Sequence, residues 1–211
     1  MKVYIIAAAT VCGKIGPDLI STPSDRRHLE TWRERTDASL MGAETLRNGE
    51  PEMRGLQGRL SPTRMRCIIT QRGEIPVQRR LFNSAPAPLV FTSKAHAPLL
   101  ANRLKSRAKV LPLPPYDHGP SLSLAEALQI LKTRGASSLL IEGGGRLNYE
   151  ALRQKIVDEL ILTMLPQIDG SNTSTKLFAG PAPLNIQLKL IEMQPGEDQE
   201  FFVRYEIKYG K

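Results

Sequence analysis

Residues 3–9, VYIIAAA, are apolar without alternation. That is the pattern of a strand covered on both faces, so the chain is expected to begin in the middle of a sheet. In STPSDRRHLETWRERT, Thr22 or Ser24 can cap a helix, Pro23 suits its first turn, and Leu29 and Trp32 mark a narrow apolar face; this predicts a surface helix. ASLMGAETLR reads as a strand and short helix and TRMRCIITQ as a strand, separated by a glycine- and arginine-rich loop over 48–63. PLVFTS is a further strand, KAHAPLLANRLKSR a helix interrupted near Pro98, and KVLPLP a short strand. In SLSLAEALQILKTRG, Ser123 and Glu126 have capping-box spacing. Leu124, Ala127, Leu128 and Leu131 follow the i, i+3, i+4, i+7 stripe, and Gly135 stops the helix.

Up to residue 157 strands alternate with helices; beyond it they do not. VDELILTMLP, LNIQLKLIEM and EFFVRYEIKY follow one another as strands, so they are expected to pair antiparallel at one edge of the sheet. The implied architecture is a three-layer α/β/α sandwich on a mostly parallel mixed sheet, in one domain spanning 1–211.

Composition narrows the function classes. With 41% hydrophobic and 24% charged residues the chain is neither disordered nor membrane-embedded in character. No run approaches the ~18 apolar residues of a spanning helix, and the N-terminus does not read as a secretory signal, so a cytoplasmic protein is expected. Cys12 and Cys67 are far apart and only three histidines are present, which argues against a disulfide or a structural metal. The formal charge of +8 favours a phosphorylated partner. Only 5% aromatic residues leaves little surface for stacking single-stranded bases, so nucleic acid is the weaker reading.

The chemistry gathers at IEGGGRLNYEALRQK, where Gly143, Gly144 and Gly145 lie between a buried strand and a helix. A bare backbone there lets an anion approach the free amides and the dipole of the helix N-terminus. The dinucleotide fingerprint G-x-G-x-x-G is not met, because Asn148 stands where its last glycine belongs. Glu142 sits just before the turn, at the carboxyl end of a strand, where open α/β sheets bind ligands.

IEGGGRLNYEALRQKIVDELILTMLP resembles the E-G-G-x-x-L…V-D-E-L-x-L…P segment of the riboflavin-pathway reductase domain, which has the dihydrofolate reductase-like fold. TVCGKI is similar to its S-x-D-G-K-I, and SDRRHLETWRERTDASLMGAETLRNGEP to its D-R…L-R…D-A-x-L-x-G-A-x-T-V-R-x-D-D-P. Order and spacing agree from residue 3 to about 170.

The resemblance implies an NADPH-dependent reductase of the 5-amino-6-(5-phosphoribosylamino)uracil reductase type, converting a phosphoribosylamino-pyrimidine's ribosyl group to ribityl, and a homodimer formed through the antiparallel region. It places cofactor contacts on Ala8, Leu19, Thr45, Gln71, Gly144, Gly145, Arg146 and Leu147, and substrate contacts on Arg27, Met53 and Glu142. Arg72, next to Gln71, is positioned to pair with a 2′-phosphate. The chain departs from the motif at Cys12, where the family has aspartate, and at Gly49 and Glu50, where it has paired aspartates; Arg54 is the nearest match to the arginine beyond the proline. Cys12 and Arg54 therefore join the substrate set, and a related reductase with another substrate is the alternative.

Overall fold

The computed structural model describes residues 1–16, 19 and 21–210. Nine strands form one sheet: β1 (Lys2–Thr10), β2 (Ala38–Gly42), β3 (Met65–Thr70), β4 (Leu89–Ser93), β5 (Lys109–Leu113), β6 (Ser138–Ile141), β7 (Glu159–Leu165), β8 (Gln187–Pro195) and β9 (Phe201–Lys208). Their order is β5-β4-β3-β2-β6-β1-β7-β9-β8. Every pairing from β5 to β7 is parallel, whereas β9 runs antiparallel to both β7 and β8.

Five helices cover the sheet: α1 (Pro23–Glu34), α2 (Ala43–Asn48), α3 (Ala97–Leu104), α4 (Leu124–Thr133) and α5 (Gly145–Arg153). Strand alternation assigns their sides. Val3, Ile5, Leu40, Leu139 and Ile141 meet Leu124, Ala127 and Leu131 of α4 and Leu147, Ala151 and Leu152 of α5. On the opposite face Met41, Ile68 and Val90 meet Leu46 of α2 and Leu100 and Leu104 of α3. Ile6, Leu140 and Ile161 meet Trp32 of α1 on that same side. The three-layer sandwich with antiparallel C-terminal strands is therefore the observed fold, and β1 lies between β6 and β7 as its two-sided apolar run requires. No helix among the described residues is long and apolar enough to cross a membrane, and no group of His, Cys, Asp or Glu there could hold a metal.

The local signals that hold are those with a backbone mechanism. Thr22 caps α1 by accepting from the Asp25 amide at 3.0 Å, and Ser123 caps α4 from the Glu126 amide at 3.3 Å. Gly135 takes φ +92° beyond α4, a left-handed conformation that favours glycine.

Two expectations are corrected and one is refined. Pro98 does not interrupt a helix but opens one: α3 begins at Ala97, and in its first turn the missing amide has no partner to lose. The antiparallel grouping of β7, β9 and β8 at one edge holds, but β7 is the innermost of the three, pairing in parallel with β1, and its residues are buried or half-buried along its length. A run of exposed apolar residues lies instead on the true edge strand, β8, with Leu188, Leu190, Ile191 and Met193 all exposed. Nor is α1 only a surface helix, because Arg33 is buried beside Trp32.

Candidate active site

A cleft of about 420 Å³ opens at the carboxyl ends of β2, β3 and β6, bounded by Gly42, Thr70, Gln71, Arg72, Ser121, Leu122, Gly144, Arg146 and Leu147. The three glycines behind it do three different things. Gly143 has φ +86°, and its carbonyl accepts from the Gly42 amide at 2.8 Å, tying the turn to the end of β2. Gly144 faces the cleft; a Cβ built on it would stand 3.3 Å from Thr45 Oγ1. Gly145 is glycine for packing, because a Cβ there would come within 2.0 Å of the Lys176 carbonyl oxygen. Only Gly144 leaves ligand space, a narrower role than phosphate approach along all three.

α5 starts directly on this turn with no side-chain cap and no acid in its first turn. Its first amides lack intrahelical acceptors and carry the positive end of the helix dipole. Arg72 and Arg146 line the same cleft, and neither has an ion-pair partner among the described residues.

Behind the turn, Glu142 is held by groups from two elements, α1 and β2. Arg33 Nε donates to Oε1 at 3.0 Å and Nη2 to Oε2 at 2.6 Å, and the Ser39 hydroxyl donates to Oε1. Arg33 Nη1 also donates to the Arg54 carbonyl at 2.7 Å, and Arg64 Nη2 donates to Ser39 Oγ at 2.6 Å. Arg33 and Glu142 side chains are 5% and 3% exposed. Burial pushes the Glu142 carboxyl up, but the Arg33 charge and hydrogen bonds, the Ser39 hydroxyl and the Arg64 charge outweigh it and hold it below the usual carboxylate range. Burial lowers Arg64 to about 10, which leaves it cationic at neutral pH.

The substrate set inferred from sequence is thus redistributed. Arg27 is exposed and pairs with Glu197 at 3.0 Å, away from Glu142; the buried arginine of α1 is Arg33, which the motif comparison passed over. Met53 does not offer its side chain to a ligand, being buried in the apolar cluster under α2 and α3 with φ +56°. Arg54 turns its guanidinium onto Glu52 and the Gly58 carbonyl, and its own carbonyl joins it to Arg33. Glu142 is a paired internal carboxylate rather than an open acceptor. Arg33, Arg64 and Arg66 do not add to a basic surface: all three are buried and serve neighbouring carbonyls and side chains.

Cys12 is exposed in the loop after β1, its sulfur 3.2 Å from Thr10 Oγ1. Hydrogen bonds from the Gly170 amide, the Thr10 hydroxyl and the Asp169 amide lower the thiol to about 7. Ala8, paired with Thr163, and Leu19 lie outside the cleft lining, whereas Thr45 reaches it through Gly144. The Cys12 loop and the glycine turn are joined by residues 167–179: Val11 donates to Gln167, Leu177 to Gly13 at 2.9 Å, and Ala179 to Gly145 at 3.0 Å, while Asn148 Nδ2 donates to the Leu177 carbonyl.

A glycine turn with Arg72 and Arg146 beside it, at the carboxyl edge of a mostly parallel sheet, defines an α/β protein with its cleft at the edge where open sheets bind ligands. Within that class the chain belongs to the RibD C-terminal domain family, whose model matches residues 4–199. It is 28% identical over 190 residues to a protein of Aquifex aeolicus named 2,5-diamino-6-ribosylamino-4(3H)-pyrimidinone 5′-phosphate reductase, covering 84% of this chain and 82% of that one. A protein of the same name from Methanothermobacter thermautotrophicus is 27% identical over 188 residues, covering 85% of each. Among solved structures, a pyrimidine reductase-like protein of Corynebacterium diphtheriae superposes with a TM-score of 0.79 at 23% identity, over 99% of this chain and 92% of that one. RibD of Acinetobacter baumannii gives 0.80 at 20% identity, over 99% of this chain but 58% of its own.

Proposed function

We propose that this chain is an NADPH-dependent reductase acting in riboflavin biosynthesis on a ribosylaminopyrimidine 5′-phosphate. The compound for which its full-length relatives are named, 2,5-diamino-6-ribosylamino-4(3H)-pyrimidinone 5′-phosphate, is the first substrate to try. The observation that carries the reading is the cleft at Gly144, placed where the motif resemblance puts the cofactor. The residues present fit that group. Gly144 leaves the space a phosphate needs, the uncapped α5 supplies amides, and the guanidiniums of Arg72 and Arg146, without ion-pair partners among the described residues, supply charge. NADPH, when bound, supplies a hydride.

The protein's share is positional. The turn and Arg146 grip the dinucleotide phosphates, Gln71 and Arg72 address the adenosine ribose, and Thr45 closes the wall opposite Gly144. No nucleophilic side chain is required, and holding two ligands in register is the main catalytic task.

Reduction of the pyrimidine with loss of reduced-nicotinamide absorbance is the direct test. Arg72→Ala should narrow the preference for NADPH over NADH about ten- to a hundredfold, the worth of a charge-assisted pair with the 2′-phosphate. Equal losses toward both cofactors would remove Arg72 from that role. A second reading, the same chemistry on another acceptor, is favoured by Cys12 standing in the family's aspartate position; tight NADPH binding without turnover of the pyrimidine would select it.

We also propose a homodimer formed through β8, whose Leu188, Leu190, Ile191 and Met193 are 46%, 53%, 45% and 58% exposed on an edge with unpaired backbone groups. Light scattering at micromolar concentration should return twice the chain mass; a value near 23.4 kDa would refute it.

A further inference from the structure

A second cavity, of about 250 Å³, lies between α1 and the outer strands β7, β9 and β8, and none of its lining residues belongs to the cleft at Gly144. Its lining is partly aromatic. Trp32 of α1 and Phe202 of β9 contribute to it, and the His28 ring touches both, stacked on Phe202 with centroids 4.3 Å apart and edge-on to Trp32 at 6.5 Å. His28 Nε2 is buried there without a hydrogen-bond partner. Burial lowers the imidazole from its ordinary value, helped by the Arg35 charge and opposed by Asp25 and Glu192, so the ring is neutral at physiological pH. Nε2 is then either a donor without an acceptor or an acceptor without a donor, and an unpaired buried nitrogen marks a place where a further polar group belongs.

Two guanidiniums flank the Trp32 ring, each 5.6 Å from its centroid. They differ in what else they hold. Arg204 is paired with Glu159 at 2.6 Å, whereas Arg35 is exposed on the cavity's rim and has no ion-pair partner among the described residues. His28 and Arg35 stand seven residues apart, on one side of α1 and about 10 Å apart along its axis, with Trp32 between them.

We propose that this cavity is a second ligand site, taking a small aromatic carboxylate that also carries a hydroxyl: its ring lies against Trp32 and Phe202, its carboxylate pairs with Arg35, and its hydroxyl meets His28 Nε2. A hydroxyl both donates and accepts, so it satisfies either tautomer of the imidazole. One substituted ring with a hydrogen bond at each end covers the separation of the two side chains. Glu192, opposite Arg204 in the β8–β9 register, is the one acid of the lining, and it weakens the site for an anion. The site does not draw on the reductase reading, and its test needs neither NADPH nor the pyrimidine.

Trp32 is the chain's single tryptophan, so protein made with 5-fluorotryptophan gives one ¹⁹F resonance, reporting on this cavity. Titration with 4-hydroxybenzoate should shift it saturably, with a midpoint at about 1 mM or below. Benzoate, which leaves His28 unpaired, and 4-hydroxybenzamide, which offers Arg35 no charge, should each bind about tenfold more weakly or worse. Arg35→Ala should abolish the preference over 4-hydroxybenzamide, and His28→Phe, which keeps a ring on Phe202, should abolish the preference over benzoate. Glu192→Gln should tighten 4-hydroxybenzoate. Should His28→Phe not fold, His28→Leu gives the same comparison. A resonance that does not approach saturation by about 10 mM overturns the site. Equal affinities for the three compounds overturn the roles of Arg35 and His28, and a shift that Arg72→Ala abolishes places the probe in the cleft at Gly144 and overturns the second site altogether.

Discussion

Gly144→Val should lose NADPH affinity by at least about a hundredfold, some 2.7 kcal/mol, with the fold retained. Gly144 is the one glycine of the turn whose missing side chain faces the cleft. Its φ of −75° is open to any L-residue, so the substitution does not demand a new backbone. Its Cβ would already stand 3.3 Å from Thr45 Oγ1, and the two γ-methyls of valine extend into the volume a phosphate would occupy. Gly144→Ala, adding only the Cβ, should cost clearly less because Thr45 can turn aside. Gly145→Ala should behave differently, disturbing the fold itself, since its Cβ meets backbone rather than space. Titration by nicotinamide fluorescence with circular dichroism as the control checks the series; undiminished affinity in folded Gly144→Val would return the turn to a purely structural role.

Arg33→Met should destabilise the protein by about 3–5 kcal/mol at neutral pH, because it strands a buried carboxylate without its cation. The size of the effect comes from desolvation already incurred at Glu142, not from the intrinsic worth of the pair. Its pH dependence has a definite sign. In the native protein the Glu142 carboxyl is depressed, so its contribution is present above the unfolded value of about 4.3 and is lost as pH falls through the lower folded value. In Arg33→Met the carboxyl is raised instead, so the deficit relative to wild type should be largest near neutrality and shrink as acid neutralises Glu142. Chemical denaturation at several pH values measures this. The double variant Arg33→Met, Glu142→Leu should recover most of the loss, and a deficit independent of pH would show that Glu142 is not the group left unpaired.

Arg33 also shows how the sequence reading could have gone further. Leu29, Trp32, Arg33 and Thr36 lie at i, i+3, i+4 and i+7, so Arg33 sits on the very stripe that Trp32 marks as inward. Judged by charge alone, beside Arg26, Arg27 and Arg35, it reads as part of a solvated face. What was legible was local: the Thr22 and Ser123 caps, the two-sided apolar run of β1, and the turn at Gly144, each with a mechanism confined to a few residues. What was not legible depends on distant partners. Nothing within ELILTML says that its neighbours are β1 on one side and β9 on the other, because both faces and both edges are consistent with several pairings. Met53 illustrates the same limit, since motif position brings it near the site while packing under α2 and α3 removes its side chain from reach.

The stretch from 167 to 179 acts as a common tether. Leu177 spends its amide on Gly13 and its carbonyl on Asn148, and two residues later Ala179 is fastened to Gly145. The loop carrying Cys12 thus cannot shift without tugging on the glycine turn. On the proposed function, exchanging residues 10–15 for those of a relative should change cofactor grip along with acceptor choice, and retuning one alone would first require lengthening this connecting chain.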